Sequence, residues 1–190
     1  MQHKPGLAKD LNLEWMIMQT TSKLHPGQPF APVRFKRLDG EDLEFGAAGS
    51  WQALFVLRGQ HCPICKSYLG EIEQRREAFA ELGVSLAAVS ADSEAQTRAL
   101  VQPAQPGFPV LYGMDEATMR TLGLYVSQPR SAQETDHLFP EPALFVVNPQ
   151  GALHLVDVAN APFLRPDLDR LLGGLRFVIQ NQYPIRGTRQ

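Results

Sequence analysis

Cysteine is nearly absent from this chain, with two residues in 190. A structural zinc site wants four ligands, and no second CxxC or HxxxH supplies the missing two. His3, His25, His137 and His154 are scattered, and only His61 adjoins a cysteine. Charge of one sign is also lacking. The net charge is -2, the pI is about 6.2 and no Lys/Arg run stands out, so no nucleic-acid footprint and no strongly charged partner are implied. Long apolar runs are missing as well. No stretch approaches the roughly eighteen residues of a spanning helix. The patch Trp15-Met16-Ile17-Met18 is too short for a signal-peptide core. These absences predict no membrane partner and a cytoplasmic location, where a reducing poise favours catalytic over structural use of a CxxC. Repeats and low-complexity segments do not occur. With 44% hydrophobic and 20% charged residues, the length suits one substantial core.

Both cysteines fall in one unit, Cys62-Pro63-Ile64-Cys65, after the apolar run Trp51 to Leu57 and before a helical pattern. A helix N-terminus offers unpaired N–H groups and partial positive charge, so a thiol placed there ionises more easily. The thiolate is the attacking form. Cys62 is therefore the expected nucleophile, and Cys65, about one turn on, the expected resolving thiol. Two bland readings stand beside this one: half of a zinc site completed by another subunit, and two inert buried thiols that happen to lie three apart.

Along the chain, Leu7, Leu11, Trp15 and Met18 form a helical stripe ending before Pro26-Gly27, which would pack on the main domain or on a second subunit. Val33 to Phe35 and Leu43 to Phe45 flank an Asp39-Gly40 turn and predict a hairpin. Trp51 to Leu57 reads as a strand buried on both faces. One helix is expected from Tyr68 to Leu82, ending at Gly83, then a second buried strand from Val84 to Ser90. Asp92-Ser93 should cap a helix through Leu100, Pro109 to Leu111 a minor strand, and Asp115 to Leu122 a further helix closed by Gly123. The long polar loop Ser127 to Pro142 is of the kind that borders a site. Ala143 to Val147 and Leu153 to Val156 form a last hairpin, and a helix runs from Pro166 to Ile179. Strands and helices alternating in this order make a central mixed sheet flanked by helices, an α/β fold of thioredoxin-like order.

Several stretches match a known family in order and spacing: Pro26-Gly27-Gln28-Pro29-Phe30-Ala31-Pro32, Leu38-Asp39-Gly40-Glu41, Arg58-Gly59-Gln60-His61-Cys62-Pro63-Ile64-Cys65, Gly83 to Ser93, and Phe145 to Gly151. From about residue 25 the chain resembles the peroxiredoxin-like branch of the alkyl hydroperoxide reductase / thiol-specific antioxidant (AhpC/TSA) family, in the thioredoxin superfamily. The resemblance implies a thioredoxin-like domain over residues 25-190 behind an N-terminal helical extension, 1-24. It implies an antioxidant thiol oxidoreductase that cycles a Cys62-Cys65 disulfide and reduces hydroperoxides without a cofactor or metal. A thiol reductant such as a thioredoxin or glutathione system would be a partner, and a homodimer is one way to cover the stripe.

The match departs from the family at the reactive loop. True peroxiredoxins carry a Pro seven residues and a Thr or Ser three residues before the reactive Cys; counted from Cys62 these places hold Phe55 and Gly59, and from Cys65 they hold Arg58 and Cys62. The buried Asp that thioredoxin has six residues before its first Cys is Val56 here. What remains is Arg58, in an RGxxCPxC arrangement shared by the branch, whose guanidinium would lower the thiolate's pKa or else point to solvent. His61 stands where thioredoxins often carry Trp, as a shield or a tuner, and Pro63 opens the helix. Pro142 matches the position of the cis-proline that faces a CxxC, which would expose backbone for an extended substrate. Glu141 beside it would raise the thiolate's pKa if close. Disulfide reduction without peroxidase activity is the competing function, and a redox sensor or zinc-binding module the non-enzymatic one.

Overall fold

The computed structural model describes residues 23–189. The stripe of Leu7, Leu11, Trp15 and Met18, and with it the N-terminal extension up to residue 22, lies outside the described residues. Nine strands and five helices follow: β1 Val33–Arg37, β2 Asp42–Phe45, β3 Trp51–Val56, α1 Pro63–Gln74, α2 Arg76–Glu81, β4 Val84–Val89, α3 Glu94–Val101, β5 Val110–Tyr112, α4 Glu116–Thr121, β6 Val126–Ser127, β7 Phe139–Pro140, β8 Ala143–Val147, β9 Leu153–Val158 and α5 Leu168–Gln180. Seven strands form one sheet in the order β2-β1-β5-β4-β3-β8-β9, while β6 and β7 make a separate ribbon. Strands β3, β4 and β5 run parallel, and β8 pairs antiparallel with β3. This is the mixed, helix-flanked sheet expected from the sequence.

Strand β3 lies near the middle and is buried on both faces, which is why its sequence is almost continuously apolar. Ala53, Phe55 and Leu57 join one core with α1 and α5, through Leu69, Ile72, Leu168, Leu172 and Leu175. Leu54 and Val56 join the other, with Phe30, Phe45, Phe145 and Met119. The two-residue period of a strand thus divides one run between two layers. Cys62 and Cys65 belong to the first core, just past the C-terminal end of β3.

Two local expectations change. The helix predicted from Tyr68 to Leu82 is two helices, parted at Arg75, whose φ of -108° and ψ of 3° leave the helical region. No Gly or Pro marks the break. Arg75 holds it by donating to the Glu71 carbonyl and to both carboxylate oxygens of Asp169 on α5. Ser93 alone caps α3, in a reciprocal capping box with Gln96. The Asp92 carboxylate turns instead toward the loop before the cysteines and accepts from Gln60 N at 2.8 Å. Among the described residues no helix is long and apolar enough to cross a membrane.

Candidate active site

The loop Arg58 to His61 carries the chain from β3 into α1. Pro63 fills the first helical turn, where its missing N–H costs no bond, and Cys62 is the N-cap. Cys62 Sγ accepts from Cys65 N at 3.3 Å. Both cysteines are free thiols, Cys62 at 2% exposure and Cys65 at 0%.

The two thiols divide one proton unequally. A hydrogen bond from the Cys65 thiol holds Cys62 down at about 5, assisted by the Cys65 N–H and the guanidinium groups of Arg165 and Arg58, against the opposing effect of burial. Cys65 moves the other way. Its proton is held by Cys62, and burial penalises a second charge. Arg165 opposes that rise with Nη2 at 3.0 Å from Cys65 Sγ, yet in the reduced pair the negative charge belongs on Cys62, which the helix N-terminus also favours.

Arg58 is anchored on two sides. Its Nε lies 3.2 Å from Glu141 Oε2 and its Cζ stands 4.7 Å over the Phe139 ring. Glu141 is buried and accepts from Ser127 Oγ at 2.6 Å. The carboxylate therefore pairs with Arg58, and the thiolate's pKa falls rather than rises. Beside Arg58 opens a cavity of about 440 Å³ bordered by Ser127, Arg130, Glu134, Phe139 and Pro162. The Ser127 to Pro142 loop thus packs on Arg58 and His61, the residues that lead into the dithiol, and the ribbon of β6 and β7 closes its base.

His61 packs its ring 4.5 Å from Phe139, and neither ring nitrogen has a hydrogen-bond partner among the described residues. Burial first, and then the Arg58 charge, push its pKa down, so it is a neutral ring at pH 7.

Pro142 differs from the expectation. No peptide bond among the described residues is cis, so the Glu141-Pro142 bond is trans. The backbone there is already engaged: Glu141 N donates to Tyr125 O at 2.8 Å, and Pro142 O accepts from Ala159 N at 2.9 Å. No free edge remains at this point for an extended substrate. Pro142 instead lines a nearly filled crevice with Phe55, Tyr68 and Arg165.

A family model describing the AhpC/TSA family matches residues 26–156. The chain belongs to that family. Solved structures agree on the fold: peroxiredoxin 6 of Arenicola marina is 21% identical with a TM-score of 0.73, covering 84% of this chain and 75% of that one. A peroxiredoxin-like protein from Aquifex aeolicus is 14% identical with a TM-score of 0.68, covering 82% and 88%. Mycobacterium tuberculosis AhpC is 16% identical with a TM-score of 0.67, covering 88% and 100%. No curated protein matches.

The family's departing position now has a structural reason. Gly59 stands where the Thr or Ser would be, with φ at +127°, and a Cβ built there would fall 2.5 Å from Asp92 Oδ1. Asp92 is 1% exposed, lies 3.4 Å from His137 Nε2, and is pushed up chiefly by burial. The sequence reading missed Arg165, Ser127, His137 and the inward turn of Asp92. Only Asp92 carried a local signal, as one residue more than the Ser93 cap requires.

Proposed function

We propose that the chain is a thiol-dependent peroxidase in which Cys62 attacks and Cys65 resolves. The observation that carries this reading is a free thiol at a helix N-cap that accepts from the N–H of a second free cysteine one turn on, a setting that holds the first thiol's pKa down at about 5. The Cys62 thiolate displaces on the peroxide O–O bond. One oxygen joins sulfur as a sulfenic acid; the other leaves as an alkoxide, takes a proton and departs as water or alcohol. Cys65 then attacks Cys62 Sγ, its proton goes to the leaving hydroxide, and water departs as the disulfide closes. A thiol reductant such as a thioredoxin or glutathione system restores the pair, in keeping with a cytoplasmic location.

Arg58, at the wall of the cavity, is the side-chain donor assigned to the developing oxyanion in this reading, while His61 shields the thiolate and Pro63 sets the helix start. Removing one oxyanion donor generally costs about 3 kcal/mol. With no hydroxyl at Gly59, turnover should be slow beside a peroxiredoxin carrying the full loop motif. That same gap supports the second reading, a disulfide reductase. Stopped-flow comparison of hydrogen peroxide with insulin disulfide separates the two. Rapid conversion of Cys62 by peroxide supports the peroxidase; insulin reduction with thiols inert to peroxide replaces it with the reductase.

A further inference from the structure

Two guanidinium groups act on the dithiol: Arg58 and Arg165 both favour the Cys62 thiolate, but the one in contact with Cys65 is Arg165. That contact is closely built. Arg165 Nη2 donates to Cys65 Sγ at 3.0 Å while its Nε donates to Pro162 O at 2.8 Å. The guanidinium carbon lies 5.1 Å from the centroid of Tyr68, whose hydroxyl donates to Pro166 O at 2.9 Å. Residues 162 to 166 are thereby clamped across α1, and Arg165 has little room to swing away, since the crevice beside it is nearly filled.

A neutral thiol gains little from a guanidinium, whereas a thiolate gains a charge-assisted hydrogen bond. In the resting pair Cys65 is the protonated partner. Within the cycle proposed above, Cys65 sulfur carries full negative charge whenever a reductant opens the Cys62–Cys65 disulfide. Cys65 is at 0% exposure inside the helix, while Cys62, at 2%, is the N-cap at the helix tip, so an incoming thiolate meets Cys62 Sγ first. A bond forms between the reductant sulfur and Cys62 Sγ. The Cys62–Cys65 bond breaks, and its electron pair leaves on Cys65 Sγ.

We propose that Arg165 is the catalytic residue of this reductive half, holding the departing Cys65 thiolate. The proposal rests on the dithiol cycle described above but not on peroxide as oxidant. Cys65 then takes one proton from the medium. The second sulfur of a dithiol reductant attacks the first, leaves as a cyclic disulfide and returns Cys62 as thiolate. Two electrons enter, and one of the two protons given up by the reductant stays on Cys65. Arg58, paired with Glu141, is kept for the oxidative half in the cycle proposed above.

The full chain tests this without peroxide. The pair is closed with diamide, the internal disulfide is verified by mass, and reduction by dithiothreitol is timed at pH 8, where Cys62 remains ionised. Arg165→Gln should slow reduction at least tenfold, and Arg165→Lys, which keeps the charge, should recover most of the rate. Circular dichroism identifies any variant that fails to fold, and the Lys variant then decides alone, by retaining a rate within about threefold of wild type. A Gln variant reduced at the wild-type rate, or a folded Lys variant as slow as Gln, would overturn the proposal. If peroxide fails to oxidise wild-type protein while diamide succeeds, the peroxidase reading falls, and these rates still decide the role of Arg165. A pair that diamide cannot close overturns both.

Discussion

Restoring the family's hydroxyl at position 59 should damage the protein. Gly59→Ala is the minimal perturbation, because it adds only the Cβ. At φ +127° an L side chain is strained, at a cost of about 1–3 kcal/mol. The new carbon would also meet Asp92 Oδ1 at 2.5 Å. Moving that carboxylate strips Gln60 N of its acceptor and leaves a buried oxygen poorly paired, another 1–3 kcal/mol or so. Together the two effects come to about 4 kcal/mol, against a total stability of roughly 5–15 kcal/mol for a natural domain. At roughly 2–4 °C per kcal/mol for a chain of this size, melting should fall by roughly 8–16 °C. Thermal unfolding followed by circular dichroism reads this directly. Gly59→Thr should be at least as unstable and no faster with peroxide. Because the two residues touch, Asp92→Ala combined with Gly59→Ala should cost less than the sum of the single changes. A Gly59→Ala protein that melts within about 2 °C of wild type, or a Gly59→Thr protein that is stable and faster, refutes this reasoning.

Cys62→Ser should abolish turnover, while Cys65→Ser should accumulate an adduct on Cys62 visible by mass; equal loss with nothing trapped contradicts that division. Arg58→Met should lower peroxide turnover at least tenfold, a barrier change of about 1.4 kcal/mol, and unchanged turnover removes Arg58 from the reaction. Folding lowers the Cys62 pKa from 9.0 to about 5, so the reduced protein should gain stability as pH rises between those values and lose it as pH falls through 5. Urea unfolding at several pH values should show that slope in wild type and a flatter one in Cys62→Ser. His61→Phe should leave the thiolate's ultraviolet titration in place and raise stability by about 1 kcal/mol, because it replaces two unpartnered ring nitrogens with carbon. A large shift in that titration would make His61 a tuner rather than a shield.

The elements carrying strong periodicity were legible in the sequence. Strand β3 announced itself by an unbroken apolar run, β8 and β9 by the turn between them, and the dithiol by its place between strand and helix. What escaped was contact across distance. Arg165 reaches Cys65 from 100 residues away, and nothing near it in sequence sets it apart from a surface arginine. The α1–α2 break at Arg75 was hidden because its cause is tertiary, a guanidinium pulled toward Asp169 on α5. The trans bond before Pro142 was likewise decided by partners on other segments, Tyr125 and Ala159. Glycine at 59 read as the loss of a hydroxyl, when it is also a space already occupied by a carboxylate from the end of β4.

Cys65 rests one helical turn from Cys62, its N–H on the same sulfur. In the proposed cycle, the sulfenic acid forms with its captor already in place, and no helix has to unwind before the disulfide closes. Overoxidation to the sulfinic acid requires a second peroxide to arrive while the first product survives. Here that interval is short by construction. Rising peroxide should drive the protein into its disulfide and leave it there, rescued by thiols alone, so a pulse of oxidant that would silence a slower-closing relative should only pause this one.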